Sequence, residues 1–237
     1  MKRSIWLLSL VLGVSCAAQA QTDAQLRADG SKAGGTDNVL TYGMGYHQNR
    51  YSPLEQINKR NVKRLVPVRH VSLDNELGEQ AQPLIHSGVM YVANARWTYA
   101  IDALTGKVIW RTAVNFDPDT PRVVCCGNSN KGVAIYNGKV FRGTLDAFVI
   151  ALDQKTGKEV WRQKAAEWKE GYSMTVAPQI ANGVVITGCS GAEFGARCFL
   201  DGWDPDTGNK LWRRYTTAGP GEKGHETWEP QIGRAHV

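Results

Sequence analysis

An eleven-residue pattern occurs three times in this chain, and its spacing leaves few folds open. Ala100-Ile-Asp102-Ala-Leu-Thr105-Gly106-Lys-Val-Ile-Trp110 returns as Ala151-Leu-Asp153-Gln-Lys-Thr156-Gly157-Lys-Glu-Val-Trp161. It returns again as Gly202-Trp-Asp204-Pro-Asp-Thr207-Gly208-Asn-Lys-Leu-Trp212. The tryptophans are 51 residues apart both times. A fixed period of this size marks one supersecondary unit per repeat, stacked on its neighbours to bury a face that it cannot bury alone.

Each unit reads as strands. Asp-x-x-Thr-Gly is turn chemistry, because the Asp side chain can bond the backbone ahead and Gly tolerates positive φ. The turn joins an apolar run (Tyr99–Ile101, Val149–Ala151, Phe199–Leu200) to a strand ending in Trp. Upstream lies a second hairpin signal: Ser87-Gly88, Asn137-Gly138 and Asn182-Gly183, each followed by an apolar run. Four short strands per unit follow, with no long helical periodicity and no strand–helix alternation. The class is all-β, and radial stacking of such sheets is a β-propeller, with about three to four blades in this chain. Trp110, Trp161 and Trp212 are expected to pack between blades rather than to stack on a ligand. Residues 21–80 read as a polar lead-in that could add an outer strand to a last blade. Gln56–Val62 is expected to form one helical turn and Leu65–His70 a strand.

The first twenty residues have the layout of an export signal. Lys2 and Arg3 precede an apolar run from Ile5 to Val14, and Ala18-Gln19-Ala20 has the small-x-small form of a cleavage site. The apolar run is too short to span a bilayer, and no other segment is apolar enough. The expected mature chain starts at Gln21 and is exported to an oxidising compartment. Removing Lys2 and Arg3 takes the net charge from +6 to +4. The one basic cluster, Lys59–Arg64, carries no interleaved aromatics, so no nucleic-acid function is expected. Residues 232–237, Ile-Gly-Arg-Ala-His-Val, read as a non-native tail, which leaves 21–231 as propeller.

Of five cysteines, Cys125, Cys126, Cys189 and Cys198 lie beyond the leader, and they allow three pairings. Cys125 and Cys126 are adjacent. Neighbouring Cα atoms are about 3.8 Å apart, whereas a relaxed disulfide wants roughly 4.4–6.8 Å. A bond between them would close a small strained ring and add little stability, because its loop has almost no length. Its use would be as a rigid, flat sulfur surface. The alternatives are that each pairs elsewhere or stays reduced. The other unusual stretch is Thr187-Gly-Cys-Ser-Gly-Ala-Glu-Phe-Gly195. Its glycines let backbone N–H groups approach a ligand, and Glu193 is a candidate ligand for a hard cation or a plain surface residue. Thr175 sits where a strand is expected to start. No Ser/His/Asp arrangement is present, and the histidines are scattered.

Taken together, these features resemble the pyrroloquinoline quinone (PQQ)-dependent alcohol dehydrogenases, quinoproteins with an eight-bladed propeller. The resemblance rests on the three repeats, on Val-Cys125-Cys126-Gly between the first and second, and on Ser190-Gly-Ala-Glu193 between the second and third. It covers residues from about Val39 to Trp228. Leu40–Gly45, Arg50–Leu54 and Phe141-Arg-Gly-Thr-Leu-Asp146 bring it nearest the ethanol-oxidising type. The resemblance implies that Cys125 and Cys126 form a vicinal disulfide against one face of PQQ. It implies that Glu193 ligates calcium, or a lanthanide, and that Ser190, Gly191 and Ala192 line the cofactor while Thr175 bonds one of its carboxylates. Lys131 stands where relatives usually have Arg, keeping the charge without the planar fork. Gln80 stands where relatives usually have Glu; either its amide substitutes or Glu79 serves.

The resemblance further implies a periplasmic enzyme that oxidises a small primary alcohol and passes electrons to a cytochrome c. The family's remaining metal ligands, the tryptophan over the other face of PQQ and the aspartate base lie beyond this sequence, so the chain is expected to be an inactive N-terminal piece with no nameable base. The competing reading is a non-catalytic propeller that acts as an envelope assembly scaffold. It accounts for the repeats and the export signal but not for the cysteine pair or Ser190-Gly-Ala-Glu193.

Overall fold

The computed structural model describes residues 21–75, 79–125 and 127–227. The expected leader over 1–20, Cys126 and the expected tail over 232–237 lie outside the described residues.

The repeats fold as three four-stranded antiparallel sheets, each in simple meander order. The first holds β1 (Leu84–His86), β2 (Val89–Ala93), β3 (Trp97–Asp102) and β4 (Val108–Ala113). The second holds β5 (Ala134–Tyr136), β6 (Lys139–Gly143), β7 (Phe148–Asp153) and β8 (Glu159–Lys164). The third holds β9 (Gln179–Ala181), β10 (Val184–Gly188), β11 (Phe199–Trp203) and β12 (Lys210–Tyr215). The first strands of neighbouring units approach one another, β5 against β9, as inner strands of a radial stack do.

Both turn signals form as expected. Ser87, Asn137 and Asn182 adopt positive φ, followed by positive-φ glycines, which is the two-residue hairpin geometry matched to strand twist. In the second turn, Asp102, Asp153 and Asp204 each accept the backbone N–H groups two and three residues ahead, and the Thr hydroxyl as well. These bonds hold all three carboxyls below the usual Asp range: the Thr hydroxyl dominates at Asp153 and the Thr backbone N–H at Asp102 and Asp204. A bulge falls at the same point of each third strand, after Ala100, Ala151 and Gly202.

The repeat tryptophans join the sheets. Trp110 donates its indole N–H to the Gln154 carbonyl at 3.1 Å, and Trp161 donates to the Pro205 carbonyl at 3.0 Å. Each ring lies on the Gly of the next unit's turn. A Cβ added at Gly157 would stand 2.5 Å from Trp110, and one at Gly208 would stand 2.7 Å from Trp161. These tryptophans are therefore packing residues, as expected. Trp212 lies across Gly202 of its own sheet and is half-buried. One core runs through all three sheets, including Leu84, Ile135, Phe141, Val149, Ile180, Val185 and Trp203.

The lead-in differs from its sequence reading. A short helix, α1 (Asp23–Ala28), starts at a capping box between Thr22 and Gln25 and buries Leu26. Residues 21–46 lie across the first strands of all three units. Val39 pairs with Ile85, Gln21 accepts from the Asn137 N–H, and the Tyr46 hydroxyl donates to the Ile180 carbonyl at 2.7 Å. The helical turn forms at Val62–Arg64, at the end of the expected segment. Leu65–His70 is not a strand: Leu65, Val66 and Val68 are exposed, Pro67 has no N–H to donate, and no described strand edge runs beside them.

Candidate functional site

Antiparallel meanders put two kinds of connection at each end of the sheets. The hairpin turns and the Asp-Thr-Gly turns share one end. At the other end lie the approach to each first strand and the loop between each second and third strand. All the sequence-selected site residues among the described residues fall at this second end.

There the three units share two backbone bonds: Asn94, Thr144 and Cys189 donate their N–H to the carbonyls of Trp97, Phe148 and Phe199, and Val114, Ala165 and Thr216 donate theirs to those of Arg96, Ala147 and Cys198. They share a side-chain bond as well. The residue after the second strand accepts, with its side chain, the N–H of the residue that opens the third. Asn94 takes Trp97 N–H at 2.8 Å, Thr144 takes Phe148 N–H at 3.0 Å, and Cys189 Sγ takes Phe199 N–H at 3.3 Å. The loops it closes differ in length: 94–96, 144–147 and 189–198.

The long loop carries Ser190-Gly-Ala-Glu193. Ser190 exchanges both backbone bonds with Ser173, at 3.0 and 2.8 Å. Its hydroxyl meets that of Thr175 at 2.7 Å. The Thr175 carbonyl in turn accepts Lys131 N–H at 2.9 Å. Three segments remote in sequence thus converge: the approaches to β5 and β9 and the loop after β10. Gly191 has φ +130, and a Cβ there would stand 2.2 Å from the Gly171 carbonyl oxygen, so only glycine lets the loop close on its neighbour. Ala192–Phe194 form a single 3₁₀ turn that leaves Ala192 and the Glu193 carboxylate exposed. Lys131 is exposed as well. The hydroxyl of Ser173 is buried with no partner, and so is the side-chain oxygen of Asn128.

Gln80 lies on the approach to β1, where it accepts the hydroxyl of Ser129, two residues before Lys131, at 3.0 Å. Glu79 accepts from Asn75 at 2.8 Å and from Asn94 at 3.1 Å. Cys125 follows α2 (Thr120–Val123) and is half-exposed. Beneath it, Val124 packs with Ala95 and Leu145 from the loops of the first two units, and Trp168 and Phe116 close the cluster. Among the described residues no three His, Cys, Asp or Glu side chains gather as a metal site. Glu193 is thus one prospective ligand, not a complete site.

Sequence reasoning gave Arg142 no role. It is fully buried and donates to the carbonyls of Asn94, Ala95, Trp97 and Gly143 and to the Thr98 hydroxyl. Burial pulls its pKa down to about 9, which leaves it charged at neutral pH. It ties the first unit's loop to the second sheet. The signal was an Arg directly after the apolar pair Val140-Phe141 in a strand.

The family model for the PQQ glucose/ethanol/alcohol dehydrogenase β-propeller domain matches residues 40–236. The chain belongs to this family. A quinohemoprotein alcohol dehydrogenase of Pseudomonas putida is 40% identical over 225 residues, which is 92% of this chain and 31% of the relative. The quinoprotein alcohol dehydrogenase PedH of the same species is 41% identical over 225 residues, 92% of this chain and 37% of the relative. The crystal structure of the quinohemoprotein alcohol dehydrogenase of Comamonas testosteroni superposes with TM-score 0.77 at 38% identity, over 82% of this chain and 29% of that one. A europium-containing methanol dehydrogenase superposes with TM-score 0.73 at 34% identity, over 77% of this chain and 32% of that one. The chain spans about a third of the length of the curated relatives it matches. Its three sheets are therefore part of a PQQ-type propeller.

The residues at the loop end suit such a cofactor as one wall of a site. A polyanionic quinone needs hydrogen-bond donors and cations to offset its desolvation, and a metal beside it needs a carboxylate. Thr175, Ser190 and Lys131 supply the first, Glu193 supplies the second, and the unpartnered Ser173 and Asn128 oxygens leave polar capacity beside them.

Proposed function

We propose that this chain supplies one wall of the cofactor site of a PQQ-dependent alcohol dehydrogenase that oxidises a small primary alcohol. The observation that carries this is the 2.7 Å hydroxyl pair Thr175–Ser190, tied through the Thr175 carbonyl to Lys131 and placed on the loop that bears Glu193. PQQ, when bound, supplies the two-electron acceptor that the chain's own side chains lack. The chain's residues bind and orient. Thr175 donates to a cofactor carboxylate, Lys131 adds a single-point cationic contact, and Ser190, Gly191 and Ala192 border the ring. Glu193 gives one carboxylate to calcium or a lanthanide. Gln80, fixed by Ser129, offers its amide N–H₂. Glu79 is already engaged by Asn75 and Asn94, which favours Gln80 for that role. Cys125 and Cys126 form a vicinal disulfide under one face of the cofactor.

The same reading makes 1–20 an export signal, 21–231 the front of the propeller and 232–237 a foreign tail. It places the protein in the periplasm and makes a cytochrome c the electron acceptor. It assigns the chain no catalytic base, so the chain alone is inactive. The test is titration of the isolated chain with PQQ and calcium, read by tryptophan fluorescence, beside an alcohol-dependent dye-reduction assay. Expected are calcium-assisted binding weakened by Glu193→Gln, and no dye reduction. Binding indifferent to both calcium and Glu193→Gln would overturn the assignment of Glu193, and alcohol-dependent turnover would overturn the inactivity.

A further inference from the structure

The loop Cys189–Cys198 has a cysteine at each mouth. Its counterparts in the other two units close with strong acceptors, the Asn94 amide oxygen and the Thr144 hydroxyl. At the equivalent place the third unit has Cys189, whose sulfur is a weak acceptor, and its loop is the longest of the three. As in the other two units, the second-strand side gives its N–H to the third (Cys189 N–H to the Phe199 carbonyl at 3.3 Å), while the returning Phe199 N–H goes to the side chain, here Cys189 Sγ. Across the mouth, the Cys198 carbonyl accepts both the N–H and the hydroxyl of Thr216 at 3.0 Å, which anchors that side. Cys189 Sγ stands 3.3 Å from the N–H of Phe199, the residue next to Cys198, so the two cysteines sit side by side at the mouth, and both side chains are partly exposed.

We propose that Cys189 and Cys198 are joined by a disulfide that closes this loop covalently, in place of the polar side-chain closure used by the first two units. The step is thiol–disulfide exchange with an external disulfide. The two thiols lose two protons and two electrons as the Sγ–Sγ bond forms, and the donor's own S–S bond breaks to give two thiols. The bridge would restrict the loop that carries Glu193. That consequence rests on the reading of Glu193 above, whereas the bridge itself does not.

Trypsin separates the partners, because Cys189 falls on Glu170–Arg197 and Cys198 on Cys198–Lys210, while Cys125 and Cys126 share Val123–Lys131. Protein recovered from an oxidising compartment is alkylated, digested without reduction and mass-mapped. The expected result is one species joining Glu170–Arg197 to Cys198–Lys210, split in two by reductant. Alkylation of both cysteines before reduction, or either peptide joined to Val123–Lys131, would overturn the proposal. Neither outcome depends on PQQ or metal, so this test fails separately from the proposed function. Amide hydrogen exchange supplies the second readout. Exchange over residues 190–197 is expected to rise several-fold on reduction or in Cys198→Ser, with β6 and β7 unchanged. Equal exchange before and after reduction would show that the bridge does not restrain the loop.

Discussion

At the turn end of the sheets, Asp102, Asp153 and Asp204 hold three near-identical loops with the same three acceptor bonds, and Trp110 and Trp161 sit on the next unit's Gly with the same indole bond. At the loop end, the units share the backbone bonds that close each sheet and the side-chain closure made by Asn94, Thr144 and Cys189, and diverge in loop length and in the side chains the loops carry. Repetition at the first end is what stacking requires, because each unit must present the surface that the previous Trp needs. Divergence at the second end is what a site requires, because a ligand meets each unit at a different atom. On the function proposed above, the stacking surface and the cofactor wall of this chain lie at opposite ends of the same strands.

The largest expected effect comes from the turn end. Trp161→Ala removes a large side chain that is 8% exposed, together with its bond to Pro205, and should cost about 3–5 kcal/mol of unfolding free energy in urea. Trp212→Ala should cost clearly less, because that ring is half-buried and is covered by no described unit beyond it. Equal losses would mean that the three tryptophans do not differ in docking.

Glycine substitutions compare an open position of the turn end with a closed one of the loop end. At Gly88 an added Cβ meets nothing within 4 Å, so only the positive φ resists and Gly88→Ala should cost about 1 kcal/mol. Gly191→Ala adds a clash at 2.2 Å to a φ of +130 and should cost about 1–3 kcal/mol or more. It should also open the Ser173–Ser190 bridge, visible as faster exchange of those two amides. A smaller loss at Gly191 than at Gly88 would mean that the contact with Gly171 does not constrain the loop.

The two ends were also unequally legible. Asp-x-x-Thr-Gly, Asn-Gly and the 51-residue spacing each act within a few residues, so sequence shows them directly. The loop end is built from contacts between residues far apart, such as Gln80 with Ser129 or Arg142 with Asn94, and no local pattern announces them. Glycines and one carboxylate made Ser190–Glu193 visible, but its tie through Thr175 to Lys131 required the fold. Leu65–His70 was misread for a related reason. An apolar run becomes a strand only beside an available edge, and Pro67 spoils its own. The α1 helix carries a capping signature in Thr22-x-x-Gln25, but six residues are too few to show a helical apolar period in the sequence.

Thr175→Val tests the convergence at modest cost. The shape is kept and one hydroxyl is lost, leaving Ser190 Oγ without its partner, so stability should fall by about 1 kcal/mol. PQQ affinity should fall far more than stability does. A parallel fall in both would make Thr175 a structural residue only.

The smallest effect is the acid limb of stability. Asp102, Asp153 and Asp204 have folded-state pKa values below the ordinary Asp value, through their bonds to the following Thr. In the unfolded chain they titrate near ~3.9. Their contribution is therefore fully present above that value and is lost as pH falls through the lower folded-state values. All three lie in exposed turns, so each contributes little. Glu167 and Glu222, at the loop end, are also lowered: Glu167 chiefly by the Lys164 ammonium, and Glu222 chiefly by the Gly219 N–H. Thermal midpoints followed from about pH 6 to about pH 3 should fall for the parent chain, and less steeply when all three Asp are changed to Asn, which keeps an acceptor but no longer titrates. The turn bonds repeat three times, so the triple change should flatten the curve more than Glu167→Gln with Glu222→Gln does. The reverse order would place the acid sensitivity at the loop end and undo the assignment of stability to the repeated turns.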